Sequence, residues 1–209
     1  SMGVRVDPVE QEAEGDFRIL TDQIQVSGRV ETGGAGYVLD GRMNASFKAV
    51  NLLLKKGIKV HRIDNPTTNL NPGDFVVYRG PEGVIRDIAQ QTGVDFVALE
   101  NKIDKGIHEV QKPRVGMYHR YYGGNMDEGW TRFLLEMFSF PYTSLMDAEI
   151  KKGNLRAKYD TIILPQDSSG MIMGEVPPRY RRYISAVPAE YRSGIGNEGV
   201  AALKEFVEN

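Results

Sequence analysis

The chain contains no cysteine among its 209 residues. A disulfide framework, a thiolate metal site and a cysteine nucleophile are therefore excluded for this chain. Long hydrophobic runs are also missing, because no stretch approaches the ~20 apolar residues that a membrane-spanning helix needs. The formal net charge is −2, so no basic excess indicates binding to nucleic acid. We expect neither nucleic acid nor a membrane as a partner.

Histidine is scarce as well. The three histidines are His61, His108 and His119, and none begins an H-x-x-E or H-E-x-x-H pattern of a zinc site. Ser168 and Ser169 lack the G-x-S-x-G context of a serine nucleophile. The sequence therefore predicts no metal site, no cofactor and no catalytic residue in this chain.

What the sequence does contain is an alternation of short apolar strands with amphipathic helices. This order predicts an α/β fold with flavodoxin-like parallel sheets and helices on both faces. A charged stretch over residues 100–112 is expected to act as a linker. We therefore predict two linked α/β units, residues 31–110 and 111–209, after a polar and partly extended segment over residues 1–30.

The most informative segment spans residues 112–138 and predicts a strand, a Gly123-Gly124 turn and a helix. Asn125 and Glu128 form a variant of the capping box that opens this helix. Asp127 and Glu128 are interpreted as carboxylates at the positive end of the helix dipole rather than as an acid–base pair. One broad face of the helix is apolar, and we expect it to be buried against residues 159–164: Trp130, Phe133, Leu134, Met137 and Phe138.

Candidate ligand-binding residues follow two of the predicted strands. In open α/β sheets, ligands bind outside the carboxyl ends of the strands. The candidates at that edge are His119, Arg120, Tyr121, Asn125, Gln166, Asp167 and, from the long loop behind them, Arg181. The loop over residues 165–196 is rich in arginine and tyrosine. It is interpreted either as a grip for an anionic or sugar-like ligand or, preferably, as a contact with a neighbouring domain.

Three stretches resemble a region of large bacterial zinc carboxypeptidase-like proteins. They are GYVLDGRMNASFKAVNLLLKKG, PRVGMY followed by DEGWTRFLLE, and YDTIILP, and the resemblance covers about residues 36–209. In that family a metallocarboxypeptidase domain precedes a region similar to the class I glutamine amidotransferase fold. The resemblance implies a flavodoxin-like fold here, with the upstream peptidase domain of the same protein as partner and zinc confined to that domain.

The resemblance does not transfer a catalytic residue to this chain. An active amidotransferase has a cysteine after the strand that follows such a final helix, and we expect the second unit to be incomplete at its C-terminus. Ser1 and Met2 are typical of residues left by cloning. Localisation is not indicated by this end of the chain, because the lack of cysteine suits an exported parent and a cytoplasmic one equally.

The function expected from the sequence is that of a non-catalytic accessory domain, binding or structural, in a zinc carboxypeptidase-like protein. One alternative is a hydrolase or peptidase whose catalytic zinc domain lies outside this chain. The other is an α/β sensor domain that binds a small molecule or a peptide. Fold alone does not distinguish these functions.

Overall fold

The computed structural model describes residues 34–66, 70–121, 124–176, 178–188 and 191–208. Of the N-terminal segment it describes residues 8, 10–11, 14–19, 21–22, 24 and 26–32. Within that segment Val30 forms an isolated parallel bridge with Phe96, while Phe17 and Ile19 are exposed. The predicted turn residue Gly123 lies outside the described residues.

The first half of the chain forms a five-stranded sheet with two helices. Its elements are β1 (Gly36–Leu39), α1 (Asn44–Lys55), β2 (His61–Ile63), β3 (Phe75–Val77), α2 (Glu82–Thr92), β4 (Val97–Leu99) and β5 (Ile107–Glu109). The strand order is β4-β1-β3-β2-β5, and every pairing in it is antiparallel. The prediction of a flavodoxin-like parallel sheet is therefore wrong for this half.

The physical reason lies in the order of the strands. Strands β1 and β2 run in the same direction, as a connection through a helix requires, but β3 lies between them. Strands β3 and β4 are likewise parallel in direction and separated by β1. This is the split β-α-β-β-α-β arrangement, also called ferredoxin-like. The sequence indicates how each helix connects its strands, but not which strand is inserted between them.

Both helices of this half lie on one face of the sheet. Residues of α1 and α2 form one core cluster with the sheet, which includes Leu39, Leu53, Ile85 and Phe96. The opposite face has a smaller cluster to which Ile103 contributes. The predicted helices on both faces are thus wrong here, and the predicted linker over residues 100–112 contains β5 and covers part of the sheet.

The second half has a parallel sheet, as predicted. Its elements are β6 (Val115–Tyr118), α3 (Met126–Met137), β7 (Tyr142–Leu145), α4 (Asp147–Lys151), β8 (Thr161–Ile163), α5 (Ser169–Met173), α6 (Arg181–Ser185) and α7 (Gly196–Glu208). The strand order is β7-β6-β8, and both pairings are parallel. The central strand β6 is buried along its whole length, as expected for a strand inside an α/β sheet. Its core cluster includes Leu145 of β7, Ile150 of α4 and Ala202 of α7.

The apolar face of helix α3 points to solvent, whereas the prediction placed it in the core. Its apolar side chains are exposed, with Trp130 at 64%, Phe133 at 53% and Leu134 at 47% of full accessibility. The side turned inward is polar, because Glu128 is buried and Arg132 donates to Ser144 Oγ of β7 at 3.0 Å. The expected burial of Trp130 is therefore wrong. The 3.6-residue period identifies an apolar stripe without fixing its direction.

A hydrogen bond connects helix α1 of the first half to the end of helix α3 in the second half. The amide of Asn51 on α1 donates to the carbonyl of Phe138, at the end of α3, at 2.9 Å. Asn51 itself is buried. The contact anchors the C-terminal end of α3 to the first half of the chain and leaves the exposed stripe of the helix pointing elsewhere.

Candidate functional site

The parallel sheet brings the predicted residues together at the carboxyl ends of β6 and β8. The loop after β6 and the loop after β8 are joined where Asn125 Nδ2 donates to the carbonyl of Gln166 at 3.1 Å. Asn125 Nδ2 also lies 3.4 Å from Asp167 Oδ2. After β6 the chain forms β7 on one side of it and then β8 on the other side. In open α/β sheets the ligand crevice lies at such a topological switch point.

An ion pair between Arg120 and Asp167 joins the loop after β6 to the loop after β8. Arg120 Nε lies 2.6 Å from Asp167 Oδ2, and the two side chains are only 8% and 13% exposed. Arg120 Nη2 also donates to the carbonyl of Gly124 at 2.8 Å. The guanidinium therefore links the start and the end of one loop to the other loop.

A second charged group lies beside the first and was only partly predicted. His119 Nδ1 and Arg132 Nε each lie 2.6 Å from the same oxygen of Glu128, Oε1. The Glu128 side chain is 7% exposed, whereas that of His119 is 43% exposed. Glu128 is thus a buried carboxylate that pairs with the Arg132 guanidinium and the His119 ring, in addition to its predicted place in the first turn of α3.

Asn125 is the N-cap of α3, as the capping pattern predicts. Its Oδ1 accepts hydrogen bonds from the backbone N–H groups of Asp127 at 2.9 Å and Glu128 at 3.2 Å. This satisfies two donors that a helix N-terminus leaves unpaired. Asp127 does more than contact the helix dipole, because its Oδ2 accepts from the Gln166 N–H at 2.7 Å and ties α3 to the loop after β8.

Two of the predicted site residues lie at the border of the crevice or outside it. Tyr121 is exposed and packs edge-to-face with Tyr191, with ring centroids 5.8 Å apart. Arg181 is exposed on α6, and no hydrogen bond or ion pair joins it to the crevice residues that the structure describes. The start of the loop over residues 165–196 therefore contacts the site through Gln166 and Asp167, and its later part through Tyr191 rather than through Arg181.

Sequence patterns do not indicate the buried hydrogen-bonded pair of Tyr118 and Asp147, which lies next to the site. Tyr118, the last residue of β6, donates to Asp147 Oδ1 at 2.6 Å, and Asp147 Oδ2 accepts from the Gly194 N–H at 2.9 Å. Burial, reinforced by the Asp147 carboxylate, raises the pKa of Tyr118. The phenol therefore stays protonated and holds together β6, α4 and the approach to α7.

We expect Tyr118→Phe to lower the free energy of unfolding by about 1–3 kcal/mol, because it leaves a buried Asp147 oxygen without its donor. Urea titration followed by circular dichroism measures the change. Tyr142→Phe is the matched control, since the Tyr142 hydroxyl bonds Glu136 at the surface. Equal stability of Tyr118→Phe and the parent protein would show that the buried bond contributes nothing.

The arrangement holds two loops together more than it resembles a catalytic centre. We call it the polar lock, and it consists of the ion pair of Arg120 with Asp167 and the pairing of Glu128 with His119 and Arg132. Within the described part of the chain, no group of three or more histidine, aspartate or glutamate side chains is placed to hold a metal ion. At this site the pairing of His119 with Glu128 has catalytic character, because a carboxylate on Nδ1 fixes the tautomer of an imidazole, and His108 forms the same kind of pair with Asp64 elsewhere. Among the helices described, none is long and apolar enough to span a membrane.

Comparison with protein-family models, with curated proteins and with solved structures finds no match to this chain.

Proposed function

We propose that the chain is a non-catalytic accessory module of a zinc carboxypeptidase-like protein, and that it packs onto the upstream peptidase domain through helix α3. The protein context rests on the sequence resemblance described above. The outward-facing apolar side of α3 supports the docking role. It is the observation on which the proposal depends.

The docking surface is the α3 stripe, which consists of Met126, Trp130, Phe133, Leu134 and Met137, all exposed. Trp130 and Phe133 stack edge-to-face at its centre, with ring centroids 6.0 Å apart. Tryptophan and other large aromatic side chains dominate the energetics of protein interfaces. Contiguous exposed apolar side chains on one helix therefore indicate a surface that another protein surface covers.

The size of the α3 stripe favours a tethered partner over a second copy of the chain. A helix of 12 residues is only ~18 Å long, and a stable interface between separate proteins buries about 800 Å² on each side. A domain of the same polypeptide is held at a high effective concentration and needs less contact area. The upstream peptidase domain meets this requirement.

The polar lock supports the non-catalytic part of the proposal. Arg120 is paired with Asp167, and Glu128 with His119 and Arg132, so these charges already compensate one another. Such pairing positions the two loops and the first turn of α3, and it leaves little uncompensated charge with which to stabilise a reacting group. No step of a zinc reaction is assigned to this chain.

The second half is further proposed to be a flavodoxin-like unit. The order β7-β6-β8 corresponds to the first three strands of the flavodoxin-like order 2-1-3-4-5. This supports a second candidate function, a sensor that binds a small molecule or peptide in the crevice between the loops after β6 and β8. A hydrolase with a site at the same edge is favoured only by the His119–Glu128 pairing.

Trp130→Ala tests the proposal. We expect it to change the free energy of unfolding of the chain by less than about 0.5 kcal/mol, because Trp130 is exposed. We expect it to weaken binding of the chain to the separately produced upstream peptidase domain at least about tenfold, measured by calorimetry. Val207→Ala is the control, since Val207 is also an exposed apolar residue on a helix, 77% accessible, but lies on α7.

Two results would contradict the proposal. One is equal binding of the Trp130→Ala and Val207→Ala proteins to the peptidase domain. The other is a chain that sediments as a dimer and becomes monomeric on Trp130→Ala, which would assign the α3 stripe to a second copy instead.

A further inference from the structure

A cleft in the first half of the chain has a different chemistry from the crevice at β6 and β8. Its volume is about 1120 Å³, slightly above the range of about 300–1,000 Å³ that is usual for small-molecule sites. It lies beyond the end of β3, between the C-terminus of α1, the N-terminus of α2 and the loop before β5. We call it the cationic cleft, and its side-chain lining includes Lys56, Ile58, Lys59, His61, Tyr78, Arg79, Lys102, Ile103, Asp104 and Ile107.

The charge of the cationic cleft is opposite in sign to that of the whole chain. Lys56, Lys59, Arg79 and Lys102 line it against the single carboxylate of Asp104, whereas the net charge of the chain is −2. Lys59 is engaged with Glu109 at 2.9 Å, at the edge of the sheet. Within the described residues Lys56 and Arg79 take part in none of the ion pairs, so their charges are available to an anion.

His61 contributes a buried nitrogen that lacks a partner. Its Nδ1 is inaccessible to solvent and makes no hydrogen bond to any residue that the structure describes. The ring is held edge-to-face against Tyr78, with centroids 5.2 Å apart. A buried polar atom without a partner costs about 1–3 kcal/mol. Because Nδ1 is closed off from solvent, a ligand in the cleft can contact only the accessible part of the His61 ring.

The remaining wall of the cationic cleft is apolar and held in place. Tyr78 Oη donates to the carbonyl of Ile103 at 3.1 Å and accepts from its N–H at 3.2 Å. These two hydrogen bonds to the backbone of one residue fix the loop that carries Lys102, whose Nζ lies 5.9 Å from the Tyr78 ring centroid. Ile58 and Ile107 complete an apolar floor.

We infer that the cationic cleft binds a small organic anion, a phosphate ester or carboxylate carried on an apolar or aromatic body. The isoleucines and the Tyr78 ring suit the apolar body, and Lys56, Arg79 and Lys102 suit the anionic group. The N-terminus of α2 borders the same cleft without a side-chain cap, which adds backbone donors on the side of Arg79. Sequence patterns do not indicate this site, because its residues come from four separate segments: residue 35 and residues within 56–61, 78–81 and 102–107.

The test uses phenyl phosphate and benzoate as probes of the two anionic groups, with phenol and inorganic phosphate as the corresponding half-probes. We expect phenyl phosphate or benzoate to shift the amide signals of Gly57, Gly80 and Ile103 saturably in ¹H–¹⁵N spectra. We expect each half-probe to bind more weakly. The double variant Arg79→Gln/Lys102→Gln should weaken binding of the tighter probe at least about tenfold, because two cationic contacts are lost.

The matched control is Arg42→Gln/Arg86→Gln, which removes the same charge from exposed arginines of the same half that do not line the cleft. It should bind as the parent protein does, and thermal melts should show that both double variants are folded. No saturable shift with either probe at millimolar concentration would overturn the inference, as would equal affinity of the two double variants. Binding of inorganic phosphate as tight as that of phenyl phosphate would refute the role of the apolar wall.

Discussion

Glu128→Gln is expected to lower the free energy of unfolding by about 3–5 kcal/mol, the usual cost of removing one partner from a buried ion pair. The substitution preserves the shape of the side chain and removes the charge that faces His119 and Arg132, each 2.6 Å from Oε1. Arg132 Nη2 is already buried without a hydrogen bond to the described residues. Losing its counter-ion would leave the guanidinium uncompensated inside the protein.

The matched control for this experiment is Glu136→Gln on the same helix. Glu136 is exposed, and its hydrogen bond from the Tyr142 hydroxyl can be kept by a glutamine oxygen. We expect its stability to lie within about 0.5 kcal/mol of the parent value. Urea titrations of the parent protein and of the Glu128→Gln and Glu136→Gln variants measure these free energies of unfolding. Equal midpoints and slopes for both variants would show that the Glu128 group does not hold α3 in place.

Arg120→Met is expected to have an effect of similar size, about 3–5 kcal/mol, because it leaves the Asp167 carboxylate buried without its partner. Methionine keeps much of the volume of the side chain, so the loss reports on the charge and on the bond to Gly124. We also expect the loops after β6 and β8 to separate. Faster amide hydrogen exchange at Asn125 and Gln166 would detect that separation.

Arg29→Met provides the comparison for an ion pair in water. Arg29 lies 2.9 Å from Asp95, but both side chains are exposed, and exposed pairs contribute little to stability. If Arg120→Met lowers the free energy of unfolding by no more than Arg29→Met does, Arg120 does not hold the loops after β6 and β8 together.

The elements of the second half could be predicted because their signals are local. Asn125 lies where a capping residue is required, and the buried strand β6 precedes it as a continuous apolar run. The meeting of Arg120, Asn125, Gln166 and Asp167 followed from one rule, since the carboxyl ends of parallel strands share an edge. Arg181 lies exposed on α6, and its position could not be predicted in the same way because it depends on the path of a long loop.

Two features could not be predicted because they depend on contacts far apart in the sequence. The insertion of β3 between β1 and β2 is decided by which strands pair, and the sequence shows only that each helix connects strands of the same direction. The face of α3 that points inward is decided by the buried Glu128 carboxylate and its contacts with His119 and Arg132. Glu128 pairs with His119, which follows β6, and Arg132 donates to Ser144 of β7, whereas the apolar stripe alone indicates burial of Trp130.

The most direct test of the docking proposal is amide hydrogen exchange in helix α3, compared between this chain alone and the full-length protein. The proposal predicts slower exchange over residues 126–137 in the full-length protein, because a covered helix opens less often. Residues of α2, which lies away from the stripe, should exchange alike in both. Equal exchange of α3 in the two proteins would show that its apolar stripe stays uncovered, and would contradict a docking role for this helix.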